Sequence, residues 1–528
     1  MAIVLDGMSL TIRDVVDIAD KKIPCEIARE ALNKVAENRA DFEKLVTQNI
    51  PIYGVTTGYG EMVYMFVETD NEVALQTNLV RSICTGVGPS FSEEEARAML
   101  ASRINALARG YSAVRPALLE RMLFYLNEGI IPVIPEIGSL GASGDLAPLS
   151  HMAITLIGEG YVFWRGQKMP THKALSEYNI EPLQLKFKEG LALINGTSAM
   201  TGLGALVTEK GYEQTRQAEI VAALVLEVLQ ASSSPFLAEG HEIARPHQGQ
   251  IDCARNIRLL TQESRLLKQH QELRDTMLQH KSDDETVHRT DVYLQKAYSL
   301  RCIPQILGGV RDTLAHASTI LTTELNSSND NPLFFADREV FHGGNFHGQP
   351  VAFVLDFATI ALTELGVLSE RRTNRLLNRF LNNGLPEFLV QGKPGLENGL
   401  MGTQFTATAL VAENRTIGPA STQSVPSNGD NQDVVSMGLI SGRNARRVLA
   451  NNQYILAVEY LAAAQAVDIL HCQSALSKAG QATYRKVREL VKVVDNDRFM
   501  SEDLEVLAAA LARGEFAQVI LEEGITLA

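Results

Sequence analysis

The chain is poor in cysteine and in aromatic residues, and basic residues are fewer than acidic ones. Five cysteines lie far apart along 528 residues, and no Cys-x-x-Cys pair occurs. This argues against a zinc ribbon or a dithiol redox motif and suits a reducing compartment. The 48 Lys and Arg face 62 Asp and Glu, which leaves a formal net charge of −14. Such a balance argues against nucleic acid or an anionic membrane as a partner.

Targeting signals and long apolar runs are not evident either. The first residues, MAIVLDGMSLTIRD, lack the basic start, apolar core and cleavage site of a signal peptide. Apolar stretches such as residues 220–226 end at a charge, well short of the roughly 18 residues that a membrane span needs. Because 45% of the residues are hydrophobic and 21% are charged, we expect a globular, cytoplasmic protein.

Helical periodicity dominates the pattern of apolar residues. It predicts helices over residues 26–48, 93–109 and 116–128, and longer ones over 211–231, 304–324, 349–382 and 453–471. Periodic segments beyond 25 residues are typical of an extended helical bundle. We therefore predict a mainly α fold with a soft boundary between an N-terminal domain, residues 1–205, and a long-helix bundle with a C-terminal helical part, residues 206–528.

Three glycine-rich segments interrupt this pattern, at residues 50–62, 134–153 and 189–204. Clustered glycines oppose helices and regular strands, so the sequence predicts loops there. None of them contains a Walker loop, a Gly-x-Gly-x-x-Gly after a plausible strand, or a His-Glu-x-x-His. His342 and His347 are five residues apart, which does not place them on one helix face. They are better read as hydrogen-bonding histidines than as a metal pair.

The second glycine-rich segment contains Ala142-Ser143-Gly144, here named the cofactor-forming triplet. Glycine lacks a Cβ, so in a tightly bent loop the nitrogen of Gly144 can attack the carbonyl carbon of Ala142. Loss of water closes a five-membered ring, and loss of the Ser143 hydroxyl leaves an exocyclic methylene. The product, 4-methylideneimidazole-5-one, is an electrophile, which none of the twenty side chains is. Ala-Ser-Gly alone is most often a turn, so the surrounding sequence decides.

That surrounding sequence resembles the aromatic amino acid ammonia-lyase and aminomutase family. The resemblance rests on GSLGASGDLAPLSH around the triplet, YGVTTGYGE before it, and LINGTS, YSLR, SSNDNPL, GNFHGQ and NQDVVSMG after it. These motifs stand in family order from residue 50 to about residue 460. The resemblance implies a homotetramer of the histidine/phenylalanine ammonia-lyase fold, with a long central helical bundle and active sites shared between three subunits. It also implies that the triplet forms its cofactor autocatalytically, with no metal.

The resemblance further implies a role for each residue that matches a family motif. Tyr53 would take the β-proton of the substrate, although an ordinary pKa near 10 makes a tyrosine a poor base. Arg301 would bind the substrate carboxylate with two parallel hydrogen bonds. The other candidates are Tyr293 for catalysis, Gly60, Asn195, Tyr298 and Phe346 for cofactor binding, and Ile83, Cys84, Asn329, Phe405 and Gln432 for substrate binding. Taken alone, the two asparagines are as readily turn residues.

Three of these positions bear on the substrate. Histidine ammonia-lyases place a glutamate where Gln432 stands, so a histidine substrate is not expected. Bacterial tyrosine 2,3-aminomutases, which the chain resembles most, place a histidine at Ile83 and a tyrosine at Phe405, and those residues hold the phenol hydroxyl. Burying that hydroxyl without a partner costs about 1–3 kcal/mol, whereas an apolar wall favours a plain phenyl ring. The sequence therefore favours phenylalanine.

We accordingly expect a phenylalanine 2,3-aminomutase that converts L-α-phenylalanine to β-phenylalanine through a cofactor-bound amine and a cinnamate intermediate, for natural-product biosynthesis. The loop sequence GYGEM resembles the aminomutases more than the lyases. A tyrosine 2,3-aminomutase and a phenylalanine or tyrosine ammonia-lyase are the alternatives. A non-catalytic helical scaffold is a remote one, because Tyr53, Ser143 and Arg301 are all present.

Overall fold

Helices make up most of the computed structural model, which describes residues 2–48, 50–280, 286–287, 292–336 and 339–528. The chain divides into two compact units. The first unit comprises Met1–Glu209, His316–Phe357 and Pro419–Ala445, and the second comprises Lys210–Ala315, Ala358–Gly418 and Arg446–Ala528. This architecture confirms the mainly α fold class that the periodicity predicts.

The first unit combines helices with short strands. Its helices are Ile12–Ala19, Arg29–Val46, Glu72–Ile83, Glu93–Ala108, Pro116–Glu128, Leu146–Leu156, Thr171–Ser176 and Glu189–Ile194. Ile3–Leu5 and Cys25–Ile27 form a parallel pair, Val87–Ser90 and Pro135–Ile137 form an antiparallel pair, and Ile131–Pro132, Tyr161–Trp164 and Gln167–Pro170 form an antiparallel sheet. The periodicity did not predict these short sheets.

The described residues of the second unit form helices joined by loops, with no strand among them. Its helices are Gln248–Leu260, His270–Gln279, Tyr298–Arg301, Met401–Arg415, Lys478–Leu490, Ser501–Ala512 and Glu515–Glu522. Four longer helices have residues in both units: Ser198–Val228, Ile303–Leu325, Gln349–Leu377 and Gly438–Leu470. Short 3₁₀ or π turns lie at Gly60–Met62, Thr69–Asn71, Ser234–Phe236, Glu239–Ile243, Glu387–Leu389 and Gln473–Ala475.

Two of the long helices begin earlier than predicted, at Ser198 and at Gly438. The prediction of a loop was wrong for residues 146–153, 189–194 and 198–204, all of which are helical. In the last of these segments the glycines serve packing rather than a turn. A Cβ on Gly202 would lie 2.8 Å from the backbone carbonyl carbon of Ala98, and one on Gly204 would lie 2.8 Å from a methyl of Leu321. These glycines let neighbouring elements approach closely.

Helix Glu93–Ala108 lies at the centre of the first unit. Ser92 and Glu95 form a capping box at its start, with hydrogen bonds of 3.1 and 2.9 Å. Every residue of the helix from Glu95 to Ala108 is buried, so no face of the helix is left for solvent. Charged side chains on such a helix must find their partners inside the protein.

Buried ion pairs lie in the core of the second unit. The guanidinium of Arg372 contacts the carboxylate of Glu459, and the side chains of both residues are 0% exposed. The carboxylate also accepts a hydrogen bond from the hydroxyl of Ser369 at 2.5 Å. Arg311 and Glu219 form a second pair, at 2.8 Å. Each charge in these pairs is thus buried with a counter-ion, so removing one partner would leave the other charge uncompensated.

One helix is long and apolar enough to span a membrane, by length and composition alone. It is Gln349–Leu377, whose most apolar 18-residue window has a mean hydropathy of 1.9. Within that window 67% of the residues are buried inside the protein, as in the core helix of a globular domain. From the sequence, we expect every apolar run to be too short for a span. That expectation does not consider that a helix with one or two charged residues can still have a high mean hydropathy.

Candidate active site

The cofactor-forming triplet lies in a tight loop of the first unit that leads into helix Leu146–Leu156. Ser143 has a φ of +51° and Gly144 a φ of +78°, a left-handed conformation that a serine adopts only at an energetic cost. A Cβ on Gly144 would lie 2.1 Å from the backbone oxygen of Gly196. The loop is therefore tightly bent, and only glycine fits at its third position.

Main-chain hydrogen bonds hold the triplet against the loop that contains Gly196. The N–H of Gly196 donates to the carbonyl oxygen of Ser143 at 3.1 Å, and the N–H of Asp145 donates to the carbonyl oxygen of Gly196 at 2.7 Å. The carboxyl group of Asp145 accepts hydrogen bonds from the hydroxyl of Ser139 and from the N–H of Met200. Burial raises the pKa of Asp145 to about 7.

An unpaired polar atom next to the triplet tests whether these residues fit the implied cofactor. The side-chain Oδ1 of Asn195 is buried and has no hydrogen-bond partner, although such atoms are nearly always paired. Asn195 lines the same cavity as Ala142 and Ser143. With the amide turned over, its NH2 group would instead face the carbonyl oxygen and ring nitrogen that the triplet would form, both of which accept hydrogen bonds. The residues present therefore fit a 4-methylideneimidazole-5-one group.

That cavity has a volume of about 420 Å³. It brings together seven of the predicted site residues, which are Tyr53, Gly60, Ala142, Ser143, Asn195, Phe346 and Gln432. The amide nitrogen of Gln432 lies 3.4 Å from the hydroxyl of Ser143, and its oxygen accepts a hydrogen bond from Ser427 at 3.0 Å. The loops that contain Asn195 and Gln432 thus converge with the loop of Tyr53 on the triplet.

Tyr53 projects into this cavity from the loop over residues 50–66. Its phenolic oxygen accepts a hydrogen bond from the N–H of Gly60 at 2.9 Å. Burial raises the pKa of Tyr53, and this hydrogen bond partly offsets the rise. His342 accepts from the N–H of Tyr53 at 3.4 Å, and His347 lies 3.1 Å from the carbonyl oxygen of Val434. Both histidines therefore contact the backbone around the cavity.

Asn329 lies behind the cavity rather than in its wall. Its side-chain oxygen accepts a hydrogen bond from Arg103 at 2.9 Å, and its side-chain nitrogen donates to the hydroxyl of Thr197 at 2.8 Å. Ile83 and Cys84, at the end of helix Glu72–Ile83, do not line the cavity either. Burial raises the pKa of the Cys84 thiol to about 11, so the thiol is not a ready nucleophile.

The remaining predicted site residues belong to the second unit. Tyr293, Tyr298 and Phe405 are 67%, 68% and 63% exposed in the single chain. The guanidinium of Arg301 lies over the ring of Tyr298, 4.5 Å from its centroid, and its Nε donates to the carbonyl oxygen of Lys296 at 2.9 Å. In the single chain, these three aromatic rings are therefore exposed, and one of them stacks on the half-buried Arg301.

The assignment of roles from the sequence passed over several polar residues around the triplet. Asn331, His347, Asn431 and Asp433 line the cavity, and Arg103 contacts the loops behind it. Asn331 and His347 stand inside the motifs SSNDNPL and GNFHGQ, next to residues that were given a role, so assigning every polar residue of each motif would have found them. Arg103 lies in an ordinary helical pattern, and nothing in its neighbours along the chain signals the contact.

Comparison with known proteins places this site in a family. The profile of the family described as aromatic amino acid lyase matches residues 10–489. An MIO-dependent tyrosine 2,3-aminomutase from Streptomyces globisporus is 63% identical over 98% of this chain and 96% of its own length. A solved structure of a tyrosine aminomutase from the same organism matches with a TM-score of 0.98 and 61% identity, and covers 100% of both chains.

Two further relatives have different activities. A tyrosine ammonia-lyase from Cupriavidus metallidurans is 56% identical over 99% of this chain and 98% of its own length. The solved structure of the Pantoea agglomerans phenylalanine aminomutase is 37% identical, with a TM-score of 0.93, and covers 97% of this chain and 99% of that one. Family profile, sequence identity and fold agree, so the chain belongs to the aromatic amino acid lyase family.

Proposed function

We propose that the protein is a tyrosine 2,3-aminomutase, which moves the amino group of L-tyrosine from Cα to Cβ. The observation that carries the proposal is the 63% identity with a tyrosine 2,3-aminomutase over 98% of the chain. The identity with a phenylalanine aminomutase is only 37%. The sequence pattern favoured phenylalanine with tyrosine as an alternative, and the relatives support the alternative better.

The cofactor-forming triplet would provide the reactive group. A 4-methylideneimidazole-5-one made from it supplies an electrophile that activates the amine of the substrate. The bend at Ser143 and Gly144 supports this assignment, and so does the side-chain amide of Asn195 in the wall of the same cavity. Asn195 and Gln432 then hold the polar edge of the group, since both side chains reach the cavity wall beside Ser143.

Tyr53 is the base in this proposal. Removal of the β-proton needs the phenolate, and burial opposes its formation by raising the pKa of Tyr53. The N–H of Gly60 stabilises the phenolate, because a hydrogen bond to the charged form favours that form. The same loop therefore carries the base and the donor that makes the base usable.

Arg301 binds the carboxylate of the substrate in this proposal. Its planar guanidinium can form two parallel hydrogen bonds to a carboxylate, and Tyr298 holds the plane of the guanidinium by stacking. Tyr293 and Phe405 are exposed in the single chain. We propose that these residues complete the sites of a homotetramer, in which each active site takes residues from three subunits.

The choice between mutase and lyase depends on the fate of the coumarate formed when the amine leaves. A mutase retains it and adds the amine at Cβ, whereas a lyase releases it. The residues over 50–66 contact the loop that contains Asn428, whose side-chain oxygen lies 3.5 Å from the N–H of Glu61. Closure of these two loops over the cavity would retain the coumarate. The β-tyrosine formed would supply natural-product biosynthesis.

Phenylalanine is the second candidate substrate, and two side chains of this chain favour it. Ile83 and Phe405 occupy the positions at which the resembling tyrosine aminomutases hold the phenol hydroxyl. Neither side chain can donate or accept a hydrogen bond. A tyrosine enzyme of this sequence must therefore hold the hydroxyl with another group, or leave it to water.

A direct comparison of substrates tests the proposal. Purified protein is incubated separately with L-tyrosine and L-phenylalanine, and the β-amino acid and the arylacrylate are quantified by chromatography. The proposal predicts β-tyrosine as the main product and a higher kcat/KM for tyrosine. Ser143→Ala serves as the inactive control, because it lacks the hydroxyl that must leave. A higher kcat/KM for phenylalanine would establish the second candidate instead.

A further inference from the structure

A buried arginine lies directly behind the cofactor-forming triplet. Arg103 on helix Glu93–Ala108 is 0% exposed. Its guanidinium donates hydrogen bonds to the carbonyl oxygen of Asn195 at 2.6 Å, to the side-chain oxygen of Asn329 at 2.9 Å and to the carbonyl oxygen of Ala192. The hydroxyl of Ser198 lies 3.4 Å from the same group. All of these acceptors are uncharged.

A cation in such a position is costly to bury. Burial lowers the pKa of Arg103 to about 10, and the more distant carboxylates of Asp330 and Asp145 oppose that effect. Arg103 therefore remains charged at neutral pH, and its hydrogen bonds go to peptide and amide oxygens. Neutral donors can satisfy such oxygens without the cost of a buried charge, so the charge itself indicates a function.

One peptide unit connects Arg103 to the triplet. The carbonyl oxygen of the Asn195–Gly196 peptide accepts from Arg103, and the N–H of the same peptide donates to the carbonyl oxygen of Ser143 at 3.1 Å. A charged donor at the oxygen of a peptide polarises it and strengthens its N–H as a donor. The charge of Arg103 thus acts on the carbonyl oxygen of Ser143 through this peptide, without direct contact between the two groups.

The carbonyl of Ser143 has a specific place in the chemistry of ring formation. The nitrogen of Gly144 bonds to the carbonyl carbon of Ala142, and the oxygen of Ala142 leaves as water with the amide hydrogens of Ser143 and Gly144. The hydroxyl of Ser143 then leaves as a second water with its α-hydrogen, and no oxidant is needed. Removal of that α-hydrogen places negative charge on the carbonyl oxygen of Ser143, where a strong donor stabilises it.

We propose that Arg103 is a positioning residue for cofactor formation, which acts through the Asn195–Gly196 peptide to stabilise negative charge on the carbonyl oxygen of Ser143. The inference rests on the proposed function only in that the triplet must form the cofactor, and it is independent of the substrate. The same polarised donor withdraws electrons from the finished methylene. It therefore affects both how fast the cofactor forms and how it absorbs light.

The same helix offers a matched control. Arg97 is also buried, at 3% exposure. Its guanidinium donates to the carbonyl oxygens of Ile18 and Leu126, each at 3.1 Å, and to no group of the triplet. Substitution of Arg97 therefore removes a buried arginine and its carbonyl contacts from the same helix without touching the Asn195–Gly196 peptide.

The experiment compares the series Arg103→Lys, Arg103→Gln and Arg103→Met with the same three changes at Arg97. Each full-length chain is made by cell-free synthesis, and intact mass is recorded at intervals to follow the loss of two waters. Folding and oligomeric state are checked by circular dichroism and gel filtration. We expect the folded Arg103→Gln chain to lose its waters at least about tenfold more slowly than wild type, and Arg103→Lys to be intermediate.

The outcomes separate this inference from the proposed function. Folded Arg103 variants should also show an ultraviolet band at shorter wavelength than wild type, whereas the Arg97 series should match wild type in both readouts. Water loss and absorbance that are unchanged in folded Arg103 variants would overturn the inference. Failure of all three Arg103 variants to fold, while the Arg97 series folds, would also overturn it, since Arg103 would then be structural. If the intact mass of the wild-type chain showed no loss of water, the cofactor assignment itself would be refuted instead.

Discussion

The backbone N–H of Gly60 donates a hydrogen bond of 2.9 Å to the phenolic oxygen of Tyr53. Burial raises the pKa of Tyr53 and this contact lowers it, with burial as the larger effect. Tyr53 is therefore a phenol at neutral pH, and the proposed reaction uses its phenolate. The two residues sit seven positions apart in one glycine-rich loop, so the base and its stabilising donor move together.

The first prediction concerns the pH dependence of the reaction. Because the pKa of Tyr53 is raised, the phenolate fraction is small at neutral pH and grows as the pH rises. We expect kcat/KM to increase with pH across the alkaline range. Tyr53→Phe should bind the substrate, lose at least about 10²-fold in kcat, and lose the part of the alkaline rise that belongs to the phenol. A Tyr53→Phe enzyme that keeps most of its kcat would make Tyr293 the next candidate for the base.

Gly144→Ala should prevent cofactor formation although the new residue keeps the attacking N–H. The added Cβ would lie 2.1 Å from the carbonyl oxygen of Gly196, which is backbone and cannot swing aside. Gly129→Ala is the control, since Gly129 has a φ of +68° but open space around its Cβ position. Intact mass should show two waters retained in Gly144→Ala and lost in Gly129→Ala. Normal water loss in Gly144→Ala would mean that the loop has another shape when the ring closes.

Arg301→Lys should raise KM at least about tenfold for either aromatic substrate with a smaller effect on kcat. A point ammonium cannot reproduce two parallel hydrogen bonds to a carboxylate, and it loses the planar stacking on Tyr298. Steady-state kinetics with the amino acid and with its decarboxylated amine would isolate the carboxylate contribution. An unchanged KM would place the carboxylate elsewhere.

The double change Ile83→His with Phe405→Tyr should shift the preference further toward tyrosine. It supplies two hydrogen-bonding partners for the phenol and leaves them unpaired when a phenyl ring binds. We expect the two changes to be non-additive, because both address one hydroxyl. The ratio of kcat/KM for tyrosine and phenylalanine in the single and double variants measures this. Absent effects would mean that neither residue lines the ring pocket, and additive effects would mean that the two residues do not address the same hydroxyl.

Removing one partner of the buried pair Arg372–Glu459 should destabilise the protein strongly. Arg372→Met leaves the carboxylate of Glu459 buried without its counter-ion, which costs about 3–5 kcal/mol. Arg372→Met combined with Glu459→Leu should recover much of that loss. Thermal unfolding of the single and double variants gives the comparison. Equal stability of the Arg372→Met variant and the wild type would show that the pair contributes nothing net.

Much of the site could be predicted because its residues stand in contiguous motifs. Tyr53 and Gly60 share one glycine-rich loop, and Asn195 stands in LINGTS. The structure brings both loops to one cavity with the triplet. The early start of helix Ser198–Val228 was missed because glycines that permit close packing look like glycines that make turns.

Contacts between distant segments could not be predicted in this way. Arg103 and Asn329 are 226 positions apart, and their hydrogen bond depends on how segments distant along the chain pack. The short strand pairs, such as Val87–Ser90 with Pro135–Ile137, contain too few residues for a periodic signal. The catalytic motifs do not predict substrate preference either, since it depends on a few other side chains, such as Ile83 and Phe405.

The fate of the amino group tests the central proposal most directly. L-tyrosine labelled with heavy nitrogen at its amine is incubated with the purified enzyme in the presence of excess unlabelled ammonium, and the products are analysed by mass spectrometry. A tyrosine 2,3-aminomutase should give β-tyrosine that retains most of the label, with coumarate as the minor product. Coumarate alone, or β-tyrosine whose nitrogen has exchanged fully with the ammonium, would contradict the account and make the protein a lyase.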